Sequence, residues 1–221
     1  MSAHAPMQRI YVFKRYERFW HWSQAALVLF MLLTGFEIHG TYALFGFERA
    51  VNLHTLSAWS LLVLWAFTIF WQFTTGEWRQ YIPTASKLLA MARYYAFGIF
   101  TGAPHPYRKT ARKKHNPLQR LAYLMLLAVV SPIIWGSGLL YLFYAYWPRL
   151  GLDRWLGIEQ VAWVHTAGAF MMLVFVIAHV YLTTTGHTVF AHIKAMITGW
   201  DEVEAEPSSA ANPASTSRRS A

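Results

Sequence analysis

Apolar residues dominate four long windows of this chain, roughly residues 22–39, 53–75, 118–147 and 159–185. Each carries few charges and reaches the length, about 17–25 residues, that an α-helix needs to cross a hydrocarbon core. The apolar positions run continuously rather than alternating over ten-residue segments. They therefore predict helices, since helices and closed barrels are the two structures that satisfy every backbone polar group in lipid. The expected fold is all-α: an integral membrane four-helix bundle, one domain over residues 1–203, with residues 204–221 as a disordered tail.

Shorter patterns fill the connections. Over residues 86–97, apolar side chains recur at helical spacing around Lys87 and Arg93, which predicts an interfacial helix. Gly102, Pro104 and Pro106 then break the chain. A short surface helix is expected over 189–198. From Asp201 onward the sequence turns acidic and then rich in Ser, Ala and Pro, a composition that does not build a core.

Charge orients the bundle. Arg9, Lys14, Arg15 and Arg18 precede the first window, and Arg108, Lys109, Arg112, Lys113 and Lys114 crowd the connection before the third. The other two connections hold only Arg49, Arg149 and Arg154. This asymmetry predicts both termini and the 76–117 connection in the cytoplasm. The net charge of +9 thus reflects topology and lipid headgroup contact, and no nucleic-acid partner is expected. The first window lacks a small-residue cleavage signature and is read as a retained span.

Of 221 residues, 56% are hydrophobic and 17% aromatic, too many for an ordinary soluble domain. Most Trp residues, including Trp20, Trp22, Trp71, Trp78, Trp147, Trp155 and Trp163, fall near window ends, where interface anchoring is expected. Glu37 and Glu159 fall near outer boundaries, within reach of headgroups or a partner. There is no cysteine. That excludes disulfides, iron–sulfur clusters within this chain, thiolate haem ligation and cysteine zinc sites.

The remaining chemistry is histidine. His165 and His179 lie fourteen residues apart in VAWVHTAGAFMMLVFVIAHVYL. Fourteen residues of helix make almost four turns and rise about 21 Å, so both rings face one way at different depths. His21 opens the first window at its cytoplasmic end, and His54 opens the second at its outer end. Matching by depth gives His54 with His165 on the outer side and His21 with His179 on the inner side. An ionisable residue within a span is costly unless it has a task, and bundles place cofactors between facing helices. The four imidazoles predict bis-histidine ligation of two b-type haem irons. Gly35 lies fourteen residues after His21, on the same face, where it gives a porphyrin edge clearance or lets two helices approach. Gly136, Gly138 and Gly168 are open to both readings. The segment His115-Asn116-Pro117-Leu118-Gln119-Arg120 reads either as a helix N-terminus capped by Asn116 or as a quinone site in which its amide and imidazole groups hydrogen-bond a carbonyl beside the inner haem. His39 is expected to be interfacial; His4, His105, His187 and His192 carry no metal-ligand spacing.

Together, RFWHW…LLTG, His54, HNPLQ and HTAGAFMMLVFVIAH resemble the dihaem cytochrome b subunits of the cytochrome b561-like superfamily, over about residues 10–203. That group includes the b subunits of nickel–iron hydrogenases, formate dehydrogenases and thiosulfate reductases. The resemblance implies His21, His54, His165 and His179 as axial ligands, and Asn116 and Gln119 near a quinone. It implies a membrane-anchoring electron-transfer subunit of a quinone-linked oxidoreductase. Its partner would be an extracytoplasmic redox subunit: a multihaem cytochrome, an iron–sulfur protein, or a molybdoenzyme or hydrogenase subunit. The rival expectations are a stand-alone superoxide:quinone oxidoreductase and a haem-free anchor or transporter.

Overall fold

A computed structural model describes residues 7–103, 106–107, 114–186 and 188–204. His4, His105, His187, the cations at 108, 109, 112 and 113, and residues 205–221 lie outside these. Four helices are long and apolar enough to cross a membrane: Arg15–Ile38, Phe47–Thr75, Pro117–Leu142 and Ile158–Thr183. We call them the first to fourth spans. The first packs along the second and the third along the fourth. Trp65 and Trp135, 4.3 Å apart, join the second span to the third, and Phe36 and Phe170, 5.9 Å apart, join the first to the fourth. Large apolar side chains such as Phe67, Phe70 and Phe73 stay exposed on the outside, as lipid-facing positions require.

The helices do not end where the apolar windows end, because capping and not hydropathy sets a helix terminus. The first span starts at Arg15, seven residues before its apolar window: the Glu17 carboxylate accepts the backbone N–H of Lys14 at 2.7 Å and closes the first turn. The second starts at Phe47 rather than 53. Glu37 explains why, and corrects the expectation that it serves headgroups or a partner. It is buried, and its Oε1 accepts the backbone N–H groups of Leu44, Phe45 and Gly46 at 2.7, 2.6 and 2.8 Å. One carboxylate thereby organises the turn into the second span.

The third span is not one regular helix through residue 147. It contains a π-helical turn at Leu126–Val130, in which the Ser131 N–H reaches back to the Leu126 carbonyl, and it stops at Leu142. Pro132 follows the wide turn; lacking an N–H and crowding the preceding turn, it is a reason for the helix to widen there. Trp147 is not an interface anchor: its side chain is fully buried and its Nε1 donates to the Leu140 carbonyl at 3.0 Å.

The interfacial helix forms over Leu88–Ala96, with Met91 turned inward and Leu89 exposed. The terminal helix forms over Ala191–Thr198. One element corrects the sequence reading. Residues from Asp201 do not immediately become disordered: Trp200–Glu204 pairs antiparallel with Met7–Tyr11, from Tyr11↔Trp200 to Met7↔Glu204. Two polar flanking segments at opposite ends of the chain give no sign of pairing until the bundle brings them to one side. Both described ends therefore lie at the same end of the bundle, the termini end; the 39–46 and 143–157 connections form the hairpin end.

Gly199 holds this sheet in place. Its carbonyl accepts the N–H groups of Val12 and Phe13, and its φ is +88°. A Cβ there would lie 2.5 Å from Tyr11 Cε2 and 2.8 Å from the Phe13 carbonyl oxygen. Gly199→Ala is expected to cost about 1–3 kcal/mol locally through the left-handed conformation and the clash. Faster proteolytic removal of the N-terminal strand from detergent-solubilised protein would report it.

Candidate functional site

The four span histidines form two couples. The ring centroids of His21 and His179 are 6.0 Å apart with planes inclined at 49°, and those of His54 and His165 are 6.3 Å apart at 73°. The first couple faces the termini end and the second the hairpin end. Within each couple the rings share no hydrogen bond. Metal–imidazole bonds of about 2 Å on either side of one iron would set two ring centres roughly 6 Å apart. The residues present fit a bis-histidine haem at each couple on that measure. Among the described residues, no group of three or more His, Asp or Glu side chains is arranged to hold a bare metal ion.

Helix geometry explains the arrangement. The fourth span is unbroken from Ile158 to Thr183, so His165 and His179 stay on one face. The first and second spans run antiparallel, and each brings one histidine to that face. Gly35, on the first span, sits at the ring of His54: a Cβ would lie 3.6 Å from its Cε1. Gly138, on the third span, does the same for His165 at 3.2 Å. Gly168 instead serves helix contact, since a Cβ there would meet Ile134 Cγ1 at 2.7 Å.

Beside the glycines are hydroxyls that the sequence reading missed. Thr34 Oγ1 is 3.0 Å from His54 Nδ1, and Ser137 Oγ is 3.0 Å from His165 Nδ1. Both residues are buried. The available signal was a hydroxyl residue immediately before a glycine inside an apolar helix, occurring once on each of two spans. The termini-end couple is built differently. His21 Nδ1 is buried without a hydrogen-bond partner among the described residues, and His179 stacks on Phe175 at 5.8 Å and 9°.

His39 reaches Thr166 Oγ1 through Nε2 at 3.4 Å, near the hairpin-end couple. His192 Nδ1 lies 3.3 Å from the Thr183 carbonyl, and so helps close the fourth span. Asn116 caps the third span as the helix reading predicts: its Oδ1 accepts from Gln119 N at 2.8 Å, and Gln119 Oε1 accepts from Asn116 N at 2.9 Å. Asn116 Nδ2 also donates to Tyr95 Oη at 3.3 Å. Next to this cap, His115 lies between Tyr81 and Tyr123, with ring centroids at 5.1 and 5.2 Å. Burial pushes the hydroxyls of Tyr81 and Tyr95 above the ordinary tyrosine range.

A second unpredicted cluster ties the termini end together. Lys114 Nζ lies 2.8 and 3.0 Å from the two carboxylate oxygens of Glu17 and 3.1 Å from Glu77 Oε2. Lys14 Nζ reaches Glu77 Oε1 at 2.6 Å. Lys114 and Glu17 are almost fully buried. Lys114 belongs to the basic run read above as a topology signal, yet here it is a structural cation joining the first span, the end of the second and the start of the third.

Residues 12–199 match the family described as prokaryotic cytochrome b561. A relative from Escherichia coli (strain K12), named as a cytochrome, YdhU, is 31% identical over 201 residues, covering 87% of this chain and 75% of its own. No solved structure matches the chain. The chain belongs to the prokaryotic cytochrome b561 family. It is a multi-pass membrane cytochrome b that binds b-type haem and takes part in electron transfer. The haem-free anchor or transporter therefore drops out.

Proposed function

We propose that this member of the prokaryotic cytochrome b561 family is a dihaem cytochrome b that carries electrons across the bacterial inner membrane, between an extracytoplasmic redox subunit and the quinone pool. The observation that carries the reading is the pair of imidazole couples, each with ring centres about 6 Å apart, separated along the fourth span by fourteen residues. That interval is about 21 Å of helix, most of the depth of a hydrocarbon core. Haem iron supplies the one-electron chemistry when bound. His54 and His165 hold one iron and His21 and His179 the other, and the apolar spans exclude water between them. Residues 1–203 act as one membrane domain, with the termini in the cytoplasm as the charge asymmetry favours.

Quinone would meet the protein at the termini end. The oxygens of Asn116 and Gln119 are engaged in the cap, which leaves the Gln119 amide N–H to donate to a quinone carbonyl. An apolar groove of about 460 Å³ between the third and fourth spans supplies a wall for the tail. Its lining includes Ala122, one turn beyond Gln119, and Phe175, which stacks on His179.

The test is haem counting and quinol-dependent reduction of the protein purified from membranes. Two b-haems per chain, at least one reduced by a quinol, is the expected result. One haem per chain would overturn the dihaem reading. Rapid reduction by superoxide in a protein that purifies alone would replace the anchored electron carrier with the stand-alone oxidoreductase.

A further inference from the structure

The hairpin-end couple carries a repeated device: a hydroxyl residue followed by glycine, set against one imidazole. Thr34–Gly35 on the first span faces His54 of the second, and Ser137–Gly138 on the third faces His165 of the fourth. In each case the glycine lets the backbone approach the ring edge at Cε1, and the preceding hydroxyl meets Nδ1 at 3.0 Å.

The direction of these hydrogen bonds follows from proton counting. A hydroxyl has one hydrogen and two lone pairs. Thr34 Oγ1 donates its hydrogen to the Phe30 carbonyl at 3.0 Å, and Ser137 Oγ donates to the Ile133 carbonyl. With that hydrogen on the carbonyl, each oxygen accepts from the imidazole. The ring proton is held on Nδ1 and the Nε2 lone pair is left free to bind iron. Both hydroxyls are buried, so water does not compete for Nδ1. His165 Nδ1 also lies 3.2 Å from the Ile134 carbonyl, a second acceptor for the same proton. His21, in the other couple, has no acceptor at Nδ1 among the described residues.

We infer that Thr34 and Ser137 are positioning residues that fix the tautomer of His54 and His165 and strengthen them as iron donors, lowering the reduction potential of the haem held between them. An accepted N–H proton makes an imidazole a better electron donor, which favours ferric over ferrous iron. The inference rests on the bis-histidine reading and sharpens it.

The test uses full-length protein carrying Thr34→Val, Ser137→Ala or both, followed by optical redox titration and low-temperature electron paramagnetic resonance. The midpoint of the hairpin-end haem is expected to rise in each single variant, and further in the double variant, while the other haem stays in place. The ferric resonance of that haem should shift as well. Thr34→Ser and Ser137→Thr, which keep the hydroxyl, should restore both signatures. Should Thr34→Val lose the haem outright, retention at the original potential in Thr34→Ser still assigns the role to the hydroxyl. Two bound haems with unmoved midpoints in Thr34→Val and Ser137→Ala would overturn the inference, as would equal losses in Thr34→Ser and Thr34→Val. His54→Ala separates this failure from that of the underlying reading: if it keeps both haems, the ligand assignment itself falls.

Discussion

His54→Ala is expected to leave the protein with one b-haem instead of two, and His165→Ala to remove the same one. His21→Ala and His179→Ala should each remove the other, and the pair His54→Ala/His179→Ala should remove both. The effect would be large because, on the proposed reading, each iron would be held by two imidazoles placed by different helices, and one remaining imidazole would not hold it. The ring geometry decides the pairing, since His21 lies 6.0 Å from His179 and His54 lies 6.3 Å from His165. Haem content per chain and the split of the low-temperature absorption bands measure the outcome. His39→Ala is the control: its ring contacts Thr166 near the hairpin-end couple but belongs to neither couple, and both haems should remain. Loss of different haems from the two members of one couple would refute the pairing.

Lys114→Met should be the most damaging substitution outside the histidines. The Lys114 ammonium balances Glu17 and Glu77 from an almost fully buried position, and methionine leaves Glu17 buried without its cation. Removing one member of a buried charge pair costs about 3–5 kcal/mol, whereas replacing both with apolar groups is often neutral. Expression level and the thermal unfolding midpoint in detergent should fall in Lys114→Met and recover substantially in Lys114→Met/Glu17→Met. A double variant as unstable as the sum of the singles would show that the two charges are not coupled.

The same cluster sets a pH dependence. Burial alone would push the Glu77 carboxyl upward, but hydrogen bonds from Lys14 and Lys114 overcome it and hold it below the usual carboxylate range. Its stabilising contribution is therefore present above the unfolded carboxylate pKa and lost as pH falls through the folded value. Lys14, raised by its hydrogen bond to Glu77, acts in the opposite direction: its contribution is lost only as pH rises through its folded value, above the ordinary lysine range. Stability should thus be flat through neutrality and fall in acid.

Much of the bundle was legible in the chain because lipid leaves so few solutions. Four continuous apolar windows without strand alternation could only be helices, and their order and number follow directly. The two fourteen-residue intervals, His165 to His179 and His21 to Gly35, were readable because both helices run without a break, so counting residues along them gives face and depth. Depth alone was enough to couple the histidines that the structure brings together.

What counting could not reach depends on interruptions and on polar atoms meeting across the bundle. The π-helical turn at Leu126–Val130 adds a residue to one turn, offsetting all that follows by about 100° from a straight helix. Only the folded third span shows that Ser137 and Gly138 face His165. Glu37 capping a loop, Lys114 sunk between two carboxylates, and the strand pairing of Met7–Tyr11 with Trp200–Glu204 are likewise long-range outcomes. The hydrophobic pattern determined the spans, because transfer into lipid depends on each segment's own composition. The tertiary structure decided the orienting partners of the histidines, because a hydrogen bond depends on where two distant atoms finally meet.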